Sequence, residues 1–269
     1  MFRKAVNILT AGSKYRSTGL TGAANKSVNA AFLMQGLRCS SALVAQFETA
    51  VSKLPAREAV RYQEKNMKWT ASNFKAYTDS HANALLEHGF SIGDTIAVWL
   101  PDSAEKHVTM LAAAKMGMKV VDIDPKISNV AELRIVLAQA ECKALFFDPI
   151  NDQQDKLLLL RKAIPEFYYY DDTHGQAFHS KHFPHLQYFV HTGFDLEMGC
   201  LNYKSLFLRD PEVSAVDALK NQVNDGLPLY AKASAKGGAL IWKSQKDVLG
   251  TVEWGFADKL IKSEYFESA

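Results

Sequence analysis

No Asp or Glu occurs before Glu48 in this chain of 269 residues. Cysteine is almost as scarce. Cys39, Cys142 and Cys200 are odd in number and lack C-x-x-C spacing, so neither a disulfide framework nor a zinc site is supported, and the residues read as small core side chains of a reducing compartment. No apolar run reaches membrane-spanning length. Any association with a membrane is therefore expected only through partners. There is no G-x-S-x-G nucleophile elbow and no G-x-G-x-x-G after a strand, which removes two common catalytic and cofactor-binding signatures. A basic stripe interleaved with aromatics is also missing, which argues against nucleic acid as a partner.

The acid-free leader carries Arg3, Lys4, Lys14, Arg16, Lys26 and Arg38. Removing these six from 31 basic residues leaves 25 against 29 acidic, so the basic character of the whole belongs to the leader. Residues 1–40 read as a mitochondrial presequence, with an amphipathic piece at 25–37 and Arg38 placed like the arginine of a processing site. The expected location is mitochondrial, at the inner membrane. The remainder is 41–242, an α/β domain, and 243–269, a tail. Overall hydrophobic content of 48% and charged content of 22% are those of a globular protein able to bury a sizeable core.

Residues 91–125 organise the domain. An apolar β-branched run at 95–100 is stopped by Pro101, and Asp102 with Glu105 forms a capping-box pair that opens a helix. Val108, Leu111 and Ala112 give that helix an apolar face, Gly117 ends it, and 119–123 is again strand-like. Two strands joined through such a helix lie parallel with a right-handed crossover. Upstream, 41–55 reads as a short helix, 59–69 as a hairpin, and Thr70 caps a helix that Gly89 ends. Downstream, Ser128 or Asn129 caps a helix to about Ala140, 144–147 is a buried strand, and Asp152 opens a helix closed before Pro165. Residues 167–170, 186–190 and 239–242 read as further strands. This alternation predicts a mostly parallel sheet with helices on both faces.

Gly89, Gly93, Asp94, the strand to Leu100 and Pro101, Glu105, Ala114, Lys115, Gly117 and Ile123-Asp124-Pro125 together resemble the N-terminal region of the adenylate-forming enzymes, the acyl-CoA synthetase and luciferase family. The likeness reaches back to Trp69-Thr70 and forward to Asp148. It implies a partial N-terminal subdomain of that fold. The family places a phosphate-binding loop, T-S-G-T-T-G-x-P-K, after a strand that falls here at 239–242, and the residues that follow, Lys243 to Gly250, lack its glycines and threonines. Only Ser244 matches by type, and Lys243 and Lys246 read as surface lysines. The family's later catalytic segments have no counterpart before Ala269.

No catalytic, cofactor-binding or metal-binding residue is therefore expected, and no cofactor. His174, His179, His182, His185 and His191 read as loop and strand histidines without a metal, since no cysteine accompanies them. Asp122 and Asp124 read as a structural strand exit, and Tyr168, Tyr169 and Tyr170 as alternating faces of a strand. The expected role is a non-catalytic, degenerate accessory subunit of a large mitochondrial assembly, an ATP synthase or respiratory complex, with its other subunits as partners. The alternative is an acyl- or nucleotide-binding protein or a fragment of an acyl-CoA synthetase. In the tail, Trp254, Phe256, Leu260, Tyr265 and Phe266 are too many large apolar groups for a solvated end. Contact with a partner is expected for some of them, and capping of the chain's own sheet is the other outcome.

Overall fold

A computed structural model describes residues 41–268 except 64, 152–153, 172–176, 208–216, 218 and 220–221. The central sheet takes its order from the stretch at 91–147. Strand β3 (Thr95–Trp99) leads through helix α3 (Ala104–Met116) to β4 (Lys119–Asp122), which lies beside it in parallel. The chain then runs through α4 (Val130–Ala140) and returns to the other side of β3 as β5 (Ala144–Phe147). The crossing from β4 to β5 makes this a doubly wound sheet with a switch point at the carboxyl ends of β3 and β5, where folds of this kind bind ligands.

Alternation along the strands explains the two cores. Ile96, Val98, Val120 and Phe146 join one apolar cluster, and Ala97, Trp99, Val121, Leu145 and Phe147 join the other. Side chains at odd and even positions leave opposite faces of a strand, so the middle of each of these strands is apolar on both faces. Helix α3 is buried almost all round, not along one face, because α1 (Ala42–Lys53) and α2 (Ala71–Glu87) cover its outer side. Lys115 in its last turn is buried with it and ion-paired to Glu48 of α1 and Asp79 of α2. Gly117 ends the helix at φ 67°, and a Cβ there would stand 3.0 Å from Val223 Cγ2.

Several expected elements move. The N-cap of α3 is Ser103, whose side chain accepts from Lys106 N; Asp102 is drawn away by His107. Asp155, not Asp152, caps the helix α5 (Lys156–Ala163), and Asp152 lies outside the described residues. Before it, β6 (Ile150–Asn151) and β7 (Gln154–Asp155) form a small ribbon. Pro165–Tyr169 is a 3-10 helix, not a strand, since Pro165 starts a helical turn readily. Strand β8 (Tyr188–His191) follows beside β5, and β9 (Leu201–Asn202) extends the sheet in parallel to its edge.

The largest departure is past residue 227. Residues 239–242 form no strand; instead β10 (Pro228–Lys232) pairs in parallel with β4, and β11 (Lys243–Ser244) turns back antiparallel on its outer side. The complete order is β11-β10-β4-β3-β5-β8-β9. A second sheet, β12-β1-β2, sets β1 (Glu58–Tyr62) between β2 (Met67–Thr70) and β12 (Phe266–Ser268). Helix α6 (Gly255–Ile261) precedes β12, so residues 255–268 fold back onto the start of the domain.

Candidate functional site

The carboxyl ends of β3, β4 and β10 lie side by side, and their exits supply most of the polar groups. Asp122, the last residue of β4, is buried. Its Oδ1 accepts from Lys106 Nζ at 2.8 Å and its Oδ2 from the Tyr230 hydroxyl at 2.9 Å, the lysine coming from α3 and the tyrosine from β10. Both carboxylate oxygens are occupied, so Asp122 locks three elements together and is not positioned to work on a ligand. Burial, followed by the Asp122 charge, raises the Tyr230 pKa and keeps its proton in place. Asp124 is exposed; its carbonyl accepts from Trp99 Nε1 at 3.1 Å and its Oδ1 from Lys126 N, the geometry of a strand-exit turn.

A second polar group stands at the exit of β3. His107 Nε2 lies 2.6 Å from Asp102 Oδ1 and its Nδ1 lies 2.9 Å from the Tyr62 hydroxyl. Because the carboxylate only accepts, the neutral ring donates from Nε2 and accepts the Tyr62 proton at Nδ1. The other oxygen of Asp102 accepts from Ser268 Oγ at 3.1 Å, which ties β12 into the group. Burial lowers the His107 pKa against the opposing pull of Asp102, and the hydrogen bond from His107 lowers that of Asp102.

The loop 233–238, which follows β10, opens at this same edge. Ala233 N donates to Asp122 O, extending the ladder, and Gln139 of α4 brackets Ser234 by accepting from its N–H and donating to its carbonyl. Gly237 and Gly238 then take φ of 82° and 116°, conformations that glycine alone adopts freely. Lys232, Ser234, Lys236 and Gly238 are exposed, and neither lysine enters an ion pair with a described residue. The amides of Ala233, Ser234, Lys236 and Gly237 already donate within the protein, so an anion at this turn would meet chiefly the exposed lysine side chains.

At the switch point itself, the buried Lys156 places Nζ 3.4 Å from the Trp99 carbonyl and 4.6 Å from the centre of the Trp99 ring. A separate cleft of about 920 Å³ opens between β2, α2, α3 and the turn at Tyr203–Leu206. Trp69 stacks on Tyr77 at 4.6 Å in its wall, and Phe207 meets Tyr77 edge-on. The amino end of α3, through Ala104, Glu105 and Val108, lines the same cleft.

The residues singled out from the sequence are dispersed. Lys243 and Ser244 form the edge strand β11, and Gln245 beside them is buried with Nε2 donating to Ala114 O, so this turn is part of the sheet margin. His179, His182 and His185 are exposed on the 177–187 segment, His191 is buried at the end of β8, and His174 lies outside the described residues. Among the described residues no group of three or more His, Cys, Asp or Glu side chains could hold a metal ion. Burial pushes the Cys142 thiol up to about 12. No helix of the described residues is long and apolar enough to cross a membrane.

In the tail, Trp254, Phe256 and Leu260 are buried in the main apolar cluster, where Phe256 stacks on His107 at 4.2 Å. These three cannot serve a partner, since their surface is already spent on the chain's own core. Phe266 is half-buried in β12 and Tyr265 is 44% exposed. Lys106, Lys156, Tyr230 and Ser234 were missed by sequence reasoning. The signal that could have found the last two was Leu229-Tyr230-Ala231, a short apolar run followed within seven residues by Gly237-Gly238.

These features define a doubly wound α/β lobe with a glycine turn at its carboxyl edge. The family model for AMP-binding enzymes matches residues 47–182, just over half of the chain, and the chain belongs to that family. It is 31% identical over 119 residues to the human medium-chain acyl-CoA ligase ACSF2, mitochondrial, covering 44% of this chain and 19% of that protein. The bovine protein of the same name is 29% identical over 132 residues, covering 49% and 21%. The chain thus spans about a fifth of the length of the curated relatives it matches. Among solved structures, acetoacetyl-CoA synthetase from Streptomyces lividans superposes with a TM-score of 0.63 at 17% identity, over 84% of this chain and 38% of that one. The N-terminal domain of FACL13 from Mycobacterium tuberculosis gives 0.61 at 13%, over 84% and 56%. At these identities the two superpositions establish the fold, which is that of the N-terminal region of adenylate-forming enzymes.

Two expectations are corrected here. The reading as an accessory subunit of an ATP synthase or respiratory complex is overturned, because the relatives are acyl-CoA ligases. The degenerate, non-enzymatic reading falls with it. It took 239–242 for the strand before the phosphate loop, whereas the parallel strand is β10 and its exit loop holds Ser234, Gly237 and Gly238.

Proposed function

We propose that this chain is the N-terminal portion of an acyl-CoA ligase that activates a medium-chain carboxylic acid in mitochondria. In that reaction a carboxylate oxygen attacks the α-phosphorus of ATP, pyrophosphate leaves, and the thiol of coenzyme A then displaces AMP from the acyl adenylate. The observation that carries the reading is the AMP-binding enzyme match over 47–182, the segment that builds β3, β4, β5 and the helices between them. The loop at 233–238 supports it by its place at the carboxyl ends of β4 and β10, with Lys232 and Lys236 exposed where phosphate oxygens would lie. Residues 1–40 act as the targeting leader in this reading, and a reporter fused to them is expected to enter mitochondria.

The test is octanoate-dependent ATP–pyrophosphate exchange by the native product, captured from cells with an antibody against residues 41–269. Exchange that disappears on Gly238→Val supports the reading. Absence of exchange with every aliphatic acid from acetate to palmitate overturns it.

A further inference from the structure

We draw no further inference here: the strongest candidate, the cleft of about 920 Å³ between β2, α2, α3 and the turn at Tyr203–Leu206, carries nothing, because Phe207 and Asp217 in its wall flank residues 208–216, which lie outside the described residues, and nothing in the structure shows what covers it.

Discussion

The two ends of the parallel sheet's carboxyl edge are built on opposite terms. At the exits of β3 and β4 two carboxylates are fully engaged: Asp122 holds Lys106 and Tyr230, and Asp102 holds His107 and Ser268. Beside β8 and β9 the loop at 193–199 turns its apolar side chains to water. The first region is closed because charges and hydroxyls inside a protein are costly to leave unmatched. The second is open because, among the described residues, no strand lies beyond the two-residue edge strand β9 to cover the loop. Closed networks of this kind stabilise the fold, whereas exposed loop side chains contribute little to it.

The sharpest way to break the closed region is to remove its outermost support. Deleting residues 253–269 takes Trp254, Phe256 and Leu260 from the core and β12 from β1, and strips Phe256 and Ser268 from the His107–Asp102 group. Loss of the cooperative urea transition is the expected outcome, measured by circular dichroism. A deleted protein that still unfolds cooperatively would show these residues to be peripheral.

Next in size is Asp122→Ala. It leaves the Lys106 ammonium and the Tyr230 hydroxyl without their shared partner, and a loss of about 3–5 kcal/mol is expected for a broken buried pair. Equilibrium urea unfolding at pH 7.5 measures it, and a loss under 1 kcal/mol would mean that water reaches the site.

A smaller effect is expected from pH. Burial lowers the pKa of His107 and takes that of His81 to about 3, both from an ordinary 6.5. The unfolded chain therefore binds more protons below pH 6.5, so stability is fully present above that value and falls as pH drops towards the folded pKa values. Each such histidine contributes a slope of up to about 1.4 kcal/mol per pH unit in that window. The midpoint of urea unfolding should fall between pH 7.5 and 5, and His81→Phe should flatten the decline. Asp79 and Asp102, whose pKa values are lowered from 3.8, add their own losses only below that range.

The smallest expected effect sharpens the other side of the comparison. Leu196→Ser removes an exposed side chain, and the monomer's unfolding free energy should shift by no more than about 0.5 kcal/mol. A larger loss would place Leu196 in the monomer's own packing.

How much of this could be read beforehand depended on how local each signal was. Thr70, Asn129 and Gly117 sit where their chemistry predicts, since a cap or a left-handed turn is decided by a few neighbouring residues. Apolar runs at 95–100 and 144–147 needed no partner to be recognised as strands. Asp102 was misread as a cap because His107, five residues on, competes for its carboxylate only once the helix has formed and packed the imidazole beside it. The tyrosines at 168–170 carry strand propensity, yet the turn begun at Pro165 prevails over it.

What the sequence by itself determined is the alternation of helices and strands around 91–147, and with it the family, because periodicity and punctuation are written within one element's length. Only the tertiary structure decided that residues 228–232 are the strand before the glycine turn. That assignment comes from pairing with β4, more than a hundred residues earlier, and five residues with a proline at their head do not announce it. It also decided the fate of the tail. Trp254, Phe256 and Leu260 were bound to be buried somewhere, but whether against this chain or another depended on the groove that α1, α3 and β1 leave open, and long-range packing of that kind has no local signature.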